Sequence, residues 1–154
     1  MIKKDVTQDL EFVKKVVIDN IPFSHIASSN IHGFGLFAEE AIKKGSIVGL
    51  LDGQVMNWDK YDDLKAYLKD SFSSYQNYIF MEWNALDKKT LLVRPFRTKY
   101  SFINHSYKPN LKVVANPLRL VCLRDINVGE EFLLDYTDEP LREEYLKGHG
   151  ETYL

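Results

Sequence analysis

The stretch SFINHSYKPN, from Ser101 to Asn110, decides how the rest of the chain is read. The apolar pair Phe102-Ile103 leads into Asn104-His105-Ser106, and Pro109-Asn110 then turns the chain. Taken alone, the stretch has two readings. It is a strand that ends in a polar turn, since Asn and Ser hydrogen-bond their own backbone there. Or it is a polar cluster held on a buried ledge to bind a polar ligand. The choice between them rests on what else the chain carries.

Outward from this stretch, composition sets the bounds. A chain of 154 residues, 45% hydrophobic and 27% charged, is an ordinary single domain with enough material for one core. A net charge of −2 and a pI near 6.1 argue against nucleic-acid backbone as the main partner. No apolar run reaches the ~20 residues of a membrane span. The first segment, MIKKDVTQDLEFVKK, lacks the apolar region of a signal peptide, so an intracellular protein, cytoplasmic or nuclear, is expected. Cys122 is the single cysteine, which excludes a disulfide and a cysteine zinc site. The four histidines show no metal-ligand spacing, and no metal site is expected.

Val6, Leu10, Val13 and Val17 recur at helical spacing and predict a helix over 5–19, with Asp5 and Gln8 as a capping box and Pro22 beyond its end. A second helix is predicted from Trp58 to Lys69, broken by Ser71 to Ser74, and a short third from Leu141 to Lys147 behind Pro140. Strands are predicted at Phe23–Ala27, Ile47–Leu51, Tyr78–Glu82, Thr90–Arg94, Leu111–Ala115, Arg119–Leu123 and Glu131–Tyr136. Ser28 to Gly35 reads as a loop. Many short strands with a few inserted helices make an α+β, mainly β domain rather than alternating βαβ units.

Gly33-Phe34-Gly35-Leu36-Phe37-Ala38 matches the dinucleotide fingerprint in form, but a polar segment precedes it and no parallel strands follow. What survives is two glycines that let backbone pass close to a ligand. No phosphate loop and no nucleophile elbow is present. Asp125 to Tyr136, DINVGEEFLLDY, reads as a turn and a strand ending in a tyrosine.

The order of three stretches resembles the SET-domain protein lysine methyltransferases. They are Gly-x-Gly-Leu-Phe-Ala, then Phe-Ile-Asn-His-Ser-x-x-Pro-Asn, then Asp-Ile-x-x-Gly-Glu-Glu with a terminal Asp-Tyr. The likeness runs from about Ser24 to Thr137, and Tyr78-Ile79-Phe80 looks like the family's Tyr-Leu-Phe strand. The resemblance implies short curved sheets in which the Asn-His segment and the C-terminal strand meet through a knot-like threading. It implies S-adenosylmethionine as cofactor, along backbone at Gly33, Phe34 and Gly35 and along Asn104 and His105. It implies Tyr136 and Tyr78 as catalytic residues, and a substrate-lysine channel walled by Leu134, Tyr78, Tyr136 and Tyr145. The partner implied is a protein or peptide with a target lysine, a histone among the candidates, with no direct nucleic-acid or membrane partner.

On the same footing, 1–21 is expected as an N-terminal helical extension, 22–137 as the SET domain, and 138–154 as the segment closing the channel. The zinc-binding cysteines that follow the domain in many members are missing, which makes a second subunit, in a homodimer, another candidate for that closure. Leu51 stands where the family usually has Tyr, and Leu134 where it usually has Phe or Tyr two residues before the last Tyr. An aliphatic Leu134 cannot hydrogen-bond the amine, so more than one methyl is expected to be accepted. Glu139, Glu143, Glu144 and Glu151 make the C-terminal end acidic, as would suit a basic peptide, or simply a solvated face. The competing reading is a SET-like module that binds peptide or cofactor without transfer.

Overall fold

The computed structural model describes residues 9–71 and 82–148. In chain order the elements are α1 (Leu10–Val16), β1 (Ser24–Ser28), β2 (Phe34–Ala38), β3 (Ile47–Leu50), β4 (Gln54–Asn57), α2 (Trp58–Ser71), β5 (Glu82–Ala85), β6 (Thr90–Arg94), β7 (Asn104–His105), β8 (Leu111–Val114), β9 (Arg119–Cys122), β10 (Leu133–Leu134) and α3 (Glu143–Leu146). The strands form four small sheets, ordered β1-β2, β10-β7, β3-β9-β8 and β4-β6-β5. This is the expected α+β, mainly β architecture.

α1 is capped by Asp9, whose side chain accepts from the Phe12 amide at 3.2 Å. That corrects the predicted span: the helix ends at Val16, and the Asp5–Gln8 box lies outside the described residues. Val13 is fully buried and joins Ile21, Leu36, Leu120 and Phe132 in the main core, so the N-terminal segment shares that core. Lys99 ties the same segment down, with Nζ 2.9 Å from the Asp19 carboxylate and 2.6 Å from the Ser24 carbonyl. A second cluster, Trp58, Tyr61, Ala85, Leu91 and Val93, fixes α2 on the β4-β6-β5 sheet. Among the described residues no helix is long and apolar enough to cross a membrane.

β6 occupies the predicted residues, and β8 and β9 each end one residue early. β4 was not foreseen; it pairs with β6 from Gln54↔Val93 to Asn57↔Thr90. Ser71, read as a breaker, is the last residue of α2. The predicted strand Tyr78–Glu82 lies outside the described residues apart from Glu82, which opens β5. Phe34 and Gly35, read as loop, belong to β2, paired with Ser28 and Ala27. The predicted helix Leu141–Lys147 is one turn, Glu143–Leu146.

The largest correction is the predicted strand Glu131–Tyr136. Only Leu133–Leu134 forms a strand, paired in parallel with Asn104–His105, while Glu131 makes an isolated antiparallel bridge to Phe37. A 3₁₀ turn, Tyr136–Asp138, follows at once, capped by Asp135. Around β10 a side chain replaces a strand. Asn110, fully buried, donates from Nδ2 to the Glu131 carbonyl at 2.7 Å and accepts at Oδ1 from the Leu133 amide at 2.7 Å. The Asn110 amide in turn donates to the Leu133 carbonyl. β10 is thereby held between the Asn104–His105 segment and Asn110, as the expected threading requires.

Candidate active site

The parallel pairing of β7 with β10 builds the site, because it sets Leu134 beside His105 and delivers Tyr136 to the same place. His105 Nδ1 accepts from the Tyr136 amide at 3.1 Å, and the two rings lie 5.2 Å apart. With Nδ1 used as an acceptor, the ring proton resides on Nε2. That atom is buried and has no hydrogen-bond partner among the described residues. The Tyr136 hydroxyl donates to the Ile103 carbonyl at 2.5 Å. Its hydrogen is thus committed to the backbone, and its lone pairs face away from it.

On the other side of β7, Asn104 reaches the glycine pair. Its Nδ2 lies 3.2 Å from the carbonyls of both His32 and Phe34 and 2.8 Å from Glu131 Oε1. The Asn104 amide oxygen has no donor among the described residues. Glu131 also accepts from the Ser29 hydroxyl, at 2.8 and 3.0 Å. A Cβ on Gly35 would come within 2.2 Å of Glu131 Oε1, so the close approach of that carboxylate requires glycine there. Gly33 holds φ at +48° with nothing within 4 Å of where its Cβ would stand. Its backbone is open to a ligand.

A pocket of about 130 Å³ opens beside Tyr136, lined by Ala85, Val113, Leu118, Leu134 and Glu139 among others. Behind it lies a polar network. Glu139 accepts from the Ala85 amide at 2.9 Å, from Asn84 Nδ2 at 2.7 Å and from the Tyr100 hydroxyl at 3.1 Å. Asn84 Oδ1 accepts from Arg94 at 2.6 Å, and Arg94 Nε pairs with Glu82 at 2.5 Å. Burial pushes the Glu139 carboxyl above its usual range. Burial, with Glu139 beside it, pushes the Tyr100 hydroxyl well above its own.

Gly33, Phe34, Gly35, Asn104, His105, Leu134 and Tyr136 are therefore brought near one another by β2, β7 and β10. Residues 33–137 match the family described as the SET domain. The chain belongs to that family. It is similar to histone-lysine N-methyltransferase MEDEA of Arabidopsis thaliana, 28% identical over 80% of this chain and 18% of the relative. It is also similar to histone-lysine N-methyltransferase set1 of Dictyostelium discoideum, 33% identical over 70% of this chain and 7% of the relative. The chain thus spans under a fifth of the length of these curated relatives. Among solved structures it resembles CpSET8 from Cryptosporidium, with a TM-score of 0.53 and 28% identity over 75% of this chain and 58% of that one.

One expected channel residue, Tyr145, stands apart from this pocket. Another, Tyr78, lies outside the described residues. Tyr145 packs edge-on against Trp83 at 5.2 Å, in the aromatic group with Trp58 and Tyr61, and is not among the residues lining the pocket. Glu139, read as part of an acidic end, is instead pinned to β5. Sequence reasoning also missed Glu131 as a brace, Asn110 as a strand substitute and Val113 as a pocket wall. Only Glu131 carried a signal, as the second Glu of the Gly-Glu-Glu motif.

Proposed function

We propose that this SET domain is an S-adenosylmethionine-dependent protein-lysine N-methyltransferase. The observation that carries the reading is Tyr136, whose hydroxyl bonds the Ile103 carbonyl, whose ring lies beside His105, and which lines the pocket with Leu134. The names of the two curated relatives, both histone-lysine N-methyltransferases, support it.

The residues around Gly33 fit the cofactor. The open backbone of Gly33, the free amide oxygen of Asn104 and the unpartnered Nε2 of His105 supply acceptors and a donor for a polar, cationic ligand. S-adenosylmethionine, when bound, supplies a methyl group on a sulfonium. The chain's own contribution is alignment, worth ~7–11 kcal/mol for a well-oriented displacement. Deprotonating a lysine of ordinary pKa at neutral pH costs about 4–5 kcal/mol. Positioning is the larger effect. Tyr136 offers lone pairs to orient the amine, and the aliphatic walls at Leu134, Val113 and Ala85 exclude water and disfavour the ammonium form.

The domain limits carry over into the proposal: a SET domain over 22–137, an N-terminal extension over 1–21 and a C-terminal segment over 138–154. The bond from Glu139 to β5 supports the last as a wall of the site. The protein would act inside the cell on a protein lysine, with histones the first acceptors to try. Labelled methyl from S-adenosylmethionine is offered to core histones and to a whole-cell lysate, with cofactor binding measured in parallel. Label on lysine supports the enzyme. Cofactor binding without transfer to either mixture favours a binding module, and absence of both overturns the reading.

A further inference from the structure

We propose that Glu82 is a positioning residue for Tyr136: it grips the 3₁₀ turn Lys99–Phe102, which carries the Ile103 carbonyl to the Tyr136 hydroxyl. The inference rests on the reading of Tyr136 as the group that orients the amine, and it assigns a role to a residue outside the three motifs.

The turn is four residues long, too short to hold its place by its own hydrogen bonds. Its hold comes from β5. Glu82 opens that strand and is 3% exposed. Its Oε2 accepts from the Thr98 amide at 3.1 Å, at the start of the turn, and from the Ser101 hydroxyl near the end. Its Oε1 accepts from the Thr98 hydroxyl at 2.7 Å and pairs with Arg94 Nε. Thr98 Oγ1 in turn accepts from the Tyr100 amide at 3.2 Å and so caps the turn. Arg94 extends the hold to the middle of the turn, since it donates to Asn84, whose Nδ2 donates to the Tyr100 hydroxyl at 2.7 Å. The Ile103 amide then donates back to the Tyr100 carbonyl at 3.1 Å, and the Ile103 carbonyl takes the Tyr136 hydroxyl. Glu82 itself is not on the pocket lining.

A buried ion pair is a poor source of stability, because desolvating two charges offsets their attraction. What a fully satisfied one provides is fixed geometry. Here that geometry serves one turn, which ends beside the residue that directs the Tyr136 lone pairs. Asn104 and His105 come next in the chain but have anchors of their own. Asn104 is held by His32, Phe34 and Glu131, and His105 by its pairing with β10. Glu82 therefore bears on orientation at Tyr136 and not on cofactor binding.

The test loosens the grip at one bond. Ser101→Ala removes the hydroxyl that Glu82 accepts, and Ser101→Thr restores one. The Tyr136 ring carbons are followed by NMR in the full chain without ligand, with the core methyls of Leu91 and Leu120 as a check on the fold. Ser101→Ala is expected to shift the Tyr136 resonances with the core methyls unmoved, and Ser101→Thr to bring them back toward wild type. With core histones and S-adenosylmethionine, kcat is expected to fall about tenfold in Ser101→Ala, as a small misplacement of reacting groups does. Histone KM and cofactor affinity are expected to stay as in wild type. An unmoved Tyr136, or a rise in KM or loss of cofactor affinity with kcat intact, overturns the proposal. Glu82→Gln should show the same split more strongly, and where that variant fails to fold the two Ser101 variants decide. Where wild type transfers no methyl, the enzymatic reading falls, and the Tyr136 resonances still decide whether Glu82 sets its place.

Discussion

The hydroxyl of Tyr136 donates to the carbonyl of Ile103 at 2.5 Å, across the seam where β10 lies beside β7. The bond fixes which way the phenol's lone pairs point, and that orientation is what a charge-sharing transition state needs. Tyr136→Phe keeps the ring against His105 and removes the oxygen. Turnover is expected to fall by about 10²–10³-fold, the range for loss of one preorganised polar group. Stability should change by only about 1 kcal/mol, the net worth of one hydrogen bond. Steady-state methyl transfer and thermal melting check the pair, and near-normal turnover would exclude the role.

The Asn110 side chain substitutes for a neighbouring strand on one edge of β10, so its loss leaves β10 paired with β7 but without its side-chain partner on that edge. Asn110→Ala leaves the Leu133 amide and the Glu131 carbonyl unmet in a fully buried place. Each such group costs about 1–3 kcal/mol, which predicts a loss of about 2–5 kcal/mol in urea unfolding. Asn110→Asp retains the acceptor for Leu133 and loses the donor, so it should fall between. An unchanged midpoint in the Ala variant would remove Asn110 from this role.

The two glycines should respond differently. Gly35→Ala forces a methyl into Glu131, whose carboxylate cannot give way without breaking its bonds to Ser29 and Asn104. Overpacking of this kind costs about 1–3 kcal/mol, and here it falls on the strand proposed to border the cofactor, so S-adenosylmethionine affinity should drop about tenfold. Gly33→Ala meets open space and pays only for its left-handed backbone, about 1 kcal/mol of stability. Calorimetric binding to both variants separates the effects, and equal losses of affinity would contradict the geometry.

How much of this was legible in sequence follows from where the partners lie. The order of the Gly-x-Gly, Asn-His and Asp-Tyr stretches pointed to one site, and β6 was readable because its apolar run is buried almost throughout. β4 was not, since it is mostly exposed and its pairing is imposed by β6. β10 is short because the side chain of Asn110 takes over the ladder, which no local pattern announces. Glu139 looked like a solvated charge because its partner Asn84 stands 55 positions away in sequence.

Acid stability should depend on Glu130, whose carboxyl is held below its ordinary value of 4.5, chiefly by the Arg124 side chain. A carboxyl lowered in the fold contributes stability that is present above its unfolded value and is lost as pH falls through the folded one. Glu139, raised by burial, works the other way and loses its contribution as pH rises through its folded value. Over a range spanning pH 4.5, Glu130→Gln is therefore expected to flatten the loss of stability below that value. Glu139→Gln removes the opposing gain that Glu139 makes above it, as pH falls from its folded value to 4.5. Thermal melts across that range check both signs, and parallel curves for all three proteins would contradict them.

If the proposed methyl transfer holds, Leu134 is expected to bear on how many methyl groups are added. It is 4% exposed, pairs in register with His105 and shares the pocket with Val113. Both walls are aliphatic, so neither can hydrogen-bond an amine and hold it in one orientation. The amine, once methylated, is then free to rotate and present its lone pair again. Leu134→Tyr adds a ring to a pocket of about 130 Å³ and brings a hydroxyl able to bind the amine. Wild type at exhaustive turnover is expected to yield di- or trimethyl-lysine by mass spectrometry, and the variant mainly monomethyl-lysine. The peptide KM should change less than the product distribution, since the first methyl transfer needs no extra room. Monomethylation alone in wild type would show that the aliphatic walls do not set the product.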